Sequence, residues 1–234
     1  MTIQSDVYVI ILLTIILGIA IVLIGKKVEK ADPFEEPKGI VKPVLLGINT
    51  VYNTVKNNVG TKTADRLTPY ILVLWVYIFL SNTVSLFGLS SPTANLSVTL
   101  LLAFITWVLI QITELKYGGF GAYMHAFIEP IPLMLPMNII GKFSTMASMA
   151  LRLFGNITCG GIMMQLIYAG AQLASNALAG LLGAEGNVFN FMAPVLTPLL
   201  HCYFDLFAGF IQTLVFVTLT MVLIGNDMPD EAKK

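Results

Sequence analysis

MNIIGKFSTMASMALRLFGNITCGGIMMQLIYAGAQLASNALAGLL, residues 137–182, holds no proline and only two charged side chains, Lys142 and Arg152. Drawn as one α-helix it measures about 65–70 Å, roughly twice the hydrocarbon core of a bilayer. The stretch 187–225 reaches about 58 Å by the same arithmetic. Pro194 and Pro198 are placed to kink its start. Between the two lie Gly180, Gly183, Glu185 and Gly186. Over-long apolar neighbours joined by such a turn predict a hairpin of two strongly tilted membrane helices over 137–225. A cut at Gly160-Gly161 or Gly170 into shorter helices is the alternative.

Outside this hairpin, the charge-free stretches 7–25, 70–89 and 94–113 are each long enough to cross a bilayer once. The first follows Asp6 with no Lys or Arg before it, so residues 1–25 lack the basic start of a signal peptide and read as a retained span. Ser90-Ser91-Pro92-Thr93 joins the other two into a helical hairpin over 70–113. Residues 26–66 form a basic loop with eight Lys/Arg, broken early by Pro33, Pro37 and Pro43. From Pro43 on, Leu46, Ile48, Val51 and Val55 alternate with Asn, Thr and Lys. That pattern suits an amphipathic helix on the membrane surface or a solvated loop equally well.

A second loop spans 114–136, rich in glycine and carrying Pro130, Pro132 and Pro136; residues 226–234 form a tail ending in Lys233 and Lys234. With 26–66 on the cytoplasmic side, both of these fall there too. The opposite side is then left without any Lys or Arg. This positive-inside asymmetry predicts five spans, with the N-terminus outside and the C-terminus cytoplasmic. The expected fold is a single all-α membrane domain over 1–234.

Composition agrees. The chain is 56% hydrophobic and 11% charged, against about 25% charged in soluble domains. Its 13 basic and 13 acidic residues cancel, so no field draws nucleic acid, and soluble enzyme classes are excluded as well. Cys159 and Cys202, alone in apolar stretches, read as small packing residues. No phosphate-cradling glycine motif, paired metal ligands or nucleophile with a base is present, so no cofactor and no metal is expected. His125 and Glu129, four apart in the second loop, read as surface residues. Gln165 and Gln172 read as helix contacts or part of an outer vestibule.

A charge inside a bilayer costs at least about 2.5–3.5 kcal/mol, so each one requires an account. Lys142 lies near a helix start and can snorkel to the cytoplasmic surface. Arg152 lies about 22 Å along the axis from that start, too deep to do so. At helical spacing its neighbours are Thr145, Ser148, Gly155, Asn156 and Cys159. Either Arg152 closes on Asp205 across the hairpin, or this bare face meets another helix or a water-filled gap. On the last helix Asn190, Thr197, His201, Asp205, Gly209 and Gln212 form one polar stripe, starting at the outer end and stopping near mid-membrane. On an ideal helix His201 and Asp205 stand about 40° apart. A stripe open at one end looks like a blind aqueous path, and its titratable members suit proton or cation handling. The polar members alone also fit interhelical hydrogen bonding.

Leu151-Arg152-Leu153-Phe154-Gly155-Asn156, preceded by Ser148-Met149-Ala150 and followed by Gly160, resembles the signature of subunit a of the rotary F-type ATP synthases. The lead-in Pro130-Ile131-Pro132-Leu133-Met134-Leu135-Pro136-Met137-Asn138 and the terminal Gln212-Thr213-Leu214-Val215-Phe216 resemble that family too. The motif-level likeness covers residues 130–225; the first hundred residues agree in layout. The resemblance implies a stator subunit of a bacterial plasma membrane, without a catalytic site. It would be pressed against a ring of c subunits and held by peripheral-stalk b subunits. Arg152 would be the family's essential arginine, facing the ring with Thr145, Ser148, Gly155 and Cys159. Asn156 and Gln212 would flank it, and Asp205 would serve the outer half-channel, lined also by Asn190, Thr197 and Gly209. The family usually carries a second ionisable residue where this chain has Gly161, so Asp205 acts alone or with His201. The ion is expected to be H⁺, with Na⁺ as the alternative. A secondary transporter using Arg152 as a substrate-anion anchor is the rival reading. Five spans without an internal repeat speak against it. A pure scaffold leaves Arg152 and Asp205 unexplained.

Overall fold

The computed structural model describes residues 5–29, 39, 41–128, 131–181 and 189–226. Helices α1 (Ser5–Glu29), α2 (Val41–Val59), α3 (Thr61–Thr83), α4 (Leu96–Ile128), α5 (Leu135–Leu181), α6 (Ala193–His201) and α7 (Gly209–Asn226) follow in order. A wide π-turn, Cys202–Ala208, joins α6 to α7 in one rod. No strand occurs among the described residues. Among the described residues five stretches are long and apolar enough to cross a membrane: Val7–Glu29, Thr63–Phe87, Leu96–Gly121, Pro132–Leu181 and Ala193–Asn226. The chain is an all-α membrane protein. Pro33, Pro37, Glu129, Pro130, Gly183, Glu185, Gly186 and the tail with Lys233 and Lys234 lie outside the described residues.

The ambiguous stretch after Pro43 is helical. In α2, Val41, Val55 and Val59 are buried while Lys42, Asn49, Asn53 and Lys56 are exposed, so one face packs and the other is solvated. Gly60, at φ 84, turns the chain into α3, a left-handed corner that favours glycine. Across that corner Tyr52 donates to Asp65 at 3.0 Å, and this bond to a carboxylate holds the phenol above its ordinary value. At the far end of the chain, Gly225 of α7 packs on α2: a Cβ there would lie 2.6 Å from the Asn58 carbonyl oxygen. The core formed where α2, α3, α4, α5 and α7 meet includes Val55, Ile71, Ile78, Leu153, Phe216 and Ile224. By contrast, α1 buries only Val9, Leu13 and Leu17, and exposes Ile11, Ile15, Ile19 and Val22 to the surroundings. That surface suits lipid.

Helix α5 runs unbroken through Gly160-Gly161 and Gly170 for 47 residues, so the cut into shorter helices does not occur. The last helix departs from α-geometry at Cys202–Ala208, beyond its prolines rather than at them. Pro194 sits in the first turn, where no backbone donor is needed, and Thr197 donates its hydroxyl to Ala193 O at 2.8 Å beside Pro198. The stretch after Thr113, read as loop, is helical to Ile128 with a sharp corner at Gly119 (φ 78, ψ 154). Lys142 does not stand alone. Its ammonium pairs with Glu114, lies 3.4 Å from Gln111 Oε1 and sits 4.6 Å from the Tyr123 ring centre. Trp107 Nε1 donates to the Lys142 carbonyl at 3.0 Å. Neutralised by each other, Lys142 and Glu114 can stay between α4 and α5, and the helix has no need to unwind into solvent.

Candidate functional site

Packing fixes the direction of Arg152. Met149, Ala150 and Leu153 bury the core-facing side of α5, which turns Leu151, Arg152, Ser148 and Cys159 outward. Arg152 makes no hydrogen bond or ion pair among the described residues, and the closed pair with Asp205 does not form. Its side chain lines a groove of about 280 Å³ with Ser144, Thr145, Ser148, Met149, Leu219 and Leu223. Gly155 and Cys159 continue the same helix face beyond the groove.

Asp205 is held differently. It sits in the π-turn, only 5% exposed, and pairs with His201 Nδ1 one turn earlier. Its hollow, about 330 Å³, is also lined by Asn156, Thr158, Gly161, Gln165, Ser85 and Ser91. Gly161 leaves open the space in which an ionisable side chain would stand: a Cβ there meets nothing within 4 Å.

The two cavities share no lining residue. The groove takes α5 residues 144–152 and the hollow takes 156–165, so they follow one another along the helix with one turn between them. From the last helix, Leu219 and Leu223 line the groove while Phe204 and Asp205 line the hollow. Gln212 falls between these in sequence, buried, with its Nε2 unpartnered. A buried amide without a partner is costly unless water or another chain completes it.

Of the polar stripe only Asp205 lines either cavity among the described residues. Asn190 accepts from Ala193 N at 3.1 Å and from Ser175 Oγ at 3.2 Å, which caps the start of α6. The Thr197 hydroxyl is turned back onto its own helix. Gly209 packs on Asn82, with 3.0 Å between an added Cβ and the Asn82 Cβ. Cys159 and Cys202 are exposed rather than packed.

Sequence reasoning passed over the C-terminal end of α3 and the turn after it. Asn82 Nδ2 donates to Gly209 O at 3.2 Å, and Thr93 donates to Asn82 Oδ1 at 2.7 Å. The Ser91 hydroxyl donates to Ser81 O at 2.7 Å and lies 2.8 Å from the Thr93 oxygen. Asn156 Nδ2 donates to Ala208 O at 3.4 Å from the other side. The signal available was Ser81-Asn82-Thr83, three polar residues closing an apolar span.

Comparison with known proteins bears on the same region. Residues 7–225 match the model of the family described as ATP synthase A chain. The ATP synthase subunit a of Oceanobacillus iheyensis is 32% identical over 84% of this chain and 80% of its own length. That of Priestia megaterium is 31% identical over 84% of this chain and 81% of its own. The sodium ion specific subunit a of Propionigenium modestum is 33% identical over 69% of this chain and 54% of its own length. Five membrane-length helices, the Arg152 signature on an unbroken helix and these matches over most of the sequence place the chain in the subunit a family of the bacterial F-type ATP synthases.

Proposed function

We propose that the groove at Arg152 and the hollow at Asp205 are the two half-channels by which this stator subunit passes ions to and from a rotating ring of c subunits. The observation that carries the reading is the succession of two separate cavities along α5, the groove ending at an unpaired arginine and the hollow beginning one turn further on, with a buried glutamine between their last-helix walls in sequence. An ion crossing directly would have to pass the guanidinium, whose charge no cellular pH removes. A ring carboxylate arriving at about 4 Å from it gains about 4 kcal/mol at an effective dielectric of 20, enough to release its ion. Rotation then carries the refilled carboxylate away, and ion flow is coupled to turning.

In this reading Asp205, paired with His201, hands protons between the outer hollow and the ring. Thr145 and Ser148 line the inner groove. The exposed face carrying Ser148, Arg152, Gly155 and Cys159 is the ring-facing surface. Peripheral-stalk b subunits hold the chain against rotation. The chain itself is non-catalytic; nucleotide chemistry belongs to other subunits. The orientation has α2, the 114–136 segment and the tail on the cytoplasmic side of a bacterial plasma membrane, which follows from the Lys/Arg distribution. H⁺ is the favoured ion. Na⁺ stands as the second reading because one relative is named sodium ion specific. The comparisons lend nothing to a transporter that works without a ring.

The test is ATP-driven pumping by the reconstituted complex carrying Arg152→Ala. Assembly is expected to persist while pumping falls to background. Pumping that survives the substitution removes Arg152 from the mechanism.

A further inference from the structure

A π-turn inserts one extra residue into a helix and is rarely stable on sequence alone. Relaxing Cys202–Ala208 to α-geometry would rotate α6 and the turn by about 100° relative to α7, the angle of one residue. Asp205 would leave the hollow. Something outside the helix must therefore hold the turn, and two asparagines from different helices are placed to do it. Asn156 of α5 donates to Ala208 O, the last carbonyl of the turn, and Asn82 of α3 donates to Gly209 O, the next one. Gly209 O also accepts the Thr213 hydroxyl at 2.8 Å, so the two asparagines anchor the point where the turn passes into α7.

Asn82 is the better anchored of the two. It is fully buried, its Oδ1 is occupied by Thr93, and the absent side chain of Gly209 lets the backbone approach it. Thr93 thereby fixes which way the amide faces, leaving Nδ2 for the Gly209 carbonyl.

We propose that Asn82 is a positioning residue for Asp205: its grip on the Gly209 carbonyl keeps the π-turn wound and the carboxylate turned into the hollow. This rests on the reading of Asp205 as part of the ion path. His201 faces Asp205 from its own helix. The hollow's other walls contribute Asn156, Thr158 and Gln165 from α5, and Ser85 and Ser91 from the end of α3 and the turn before α4, none of them charged; Arg152 lines the other cavity.

The experiment measures ATP-driven pumping against pH in vesicles holding the complete complex with Asn82→Ala, Asn82→Asp, Thr93→Val or Asp205→Asn. Asn82→Ala should lose up to about hundredfold at every pH, the scale of a misplaced reacting group. Asn82→Asp keeps the acceptor for Thr93 but donates to Gly209 O only when protonated, so its pumping should recover on the acid side. Thr93→Val should lower pumping with Asn82 itself intact. Equal losses for Asn82→Asp and Asn82→Ala across the pH range overturn the proposal, as does wild-type pumping in Asn82→Ala. Where Asn82→Ala fails to assemble, the acid recovery of Asn82→Asp and the loss in Thr93→Val decide; absence of both overturns it. Wild-type pumping in Asp205→Asn overturns the ion-path reading instead. Loss in Asp205→Asn without acid recovery in Asn82→Asp overturns the positioning role alone.

Discussion

His201 Nδ1 closes on the buried carboxylate of Asp205 within the last helix, while the Arg152 guanidinium, on the neighbouring helix, lines a different cavity. The acid and the arginine are thus kept apart. A carboxylate locked to Arg152 would have tied the hairpin shut; here it is paired with an imidazole of its own helix.

That pairing separates two roles. Asp205→Asn keeps the shape and removes the proton site, and should cut pumping about a hundredfold, the usual worth of a positioned proton-transfer group. His201→Gln leaves the carboxylate in place and should cost less. Proton uptake by vesicles, followed with a pH-sensitive dye, ranks the two variants. A larger defect in His201→Gln would move the primary site from Asp205 to the imidazole.

Gly225 belongs to packing, not to ion transfer. With an Asn58 carbonyl oxygen 2.6 Å from its missing Cβ, alanine has no room unless α2 and α7 separate. Gly225→Ala should destabilise by about 1–3 kcal/mol, the usual cost of overpacking. Gly18→Ala, where the added carbon meets nothing within 4 Å, should be neutral or slightly stabilising. Thermal midpoints of the purified complex compare the two. Equal midpoints would mean that α2 does not bear on α7 as described.

Lys142 and Glu114 should behave as a unit. Their side chains are 23% and 12% exposed, between a surface pair and a fully buried one. Lys142→Met or Glu114→Gln strands one charge between α4 and α5, at a cost of about 1–3 kcal/mol once partial solvent screening is allowed for. The double substitution should cost less than the sum. Additive losses in thermal unfolding would show that the two side chains act independently.

What was legible in the sequence follows physical scale. Lipid selects against charge over whole spans, so five spans could be counted; the length of α5 was visible in its lack of proline, while its glycines left a cut open. The isolation of Arg152 and Asp205 was visible for the same reason. The π-turn was not, because a stripe at spacings of four looks alike on an α-helix and on one with a single widened turn. Asn82 was hidden because its importance comes from Gly209, 127 positions away, and no local pattern encodes that meeting. The partner of Lys142 was not foreseen because it lies on another helix.

Cys159 offers a direct test of the proposed ring-facing surface. It is exposed, two turns beyond Arg152 on the same helix, and its sulfur is free to react. A disulfide forms only where Cα atoms approach to about 4.4–6.8 Å, so cross-linking reports contact rather than proximity. A cysteine introduced near the ion-binding carboxylate of a c subunit should cross-link to Cys159 under mild oxidation and stop rotation. Reduction should restore it. Leu13→Cys on α1, buried away from that face, should give no such product. If no ring position cross-links to Cys159 while Leu13→Cys does, the surface that meets the ring lies elsewhere, and Arg152 would need another explanation for standing unpaired.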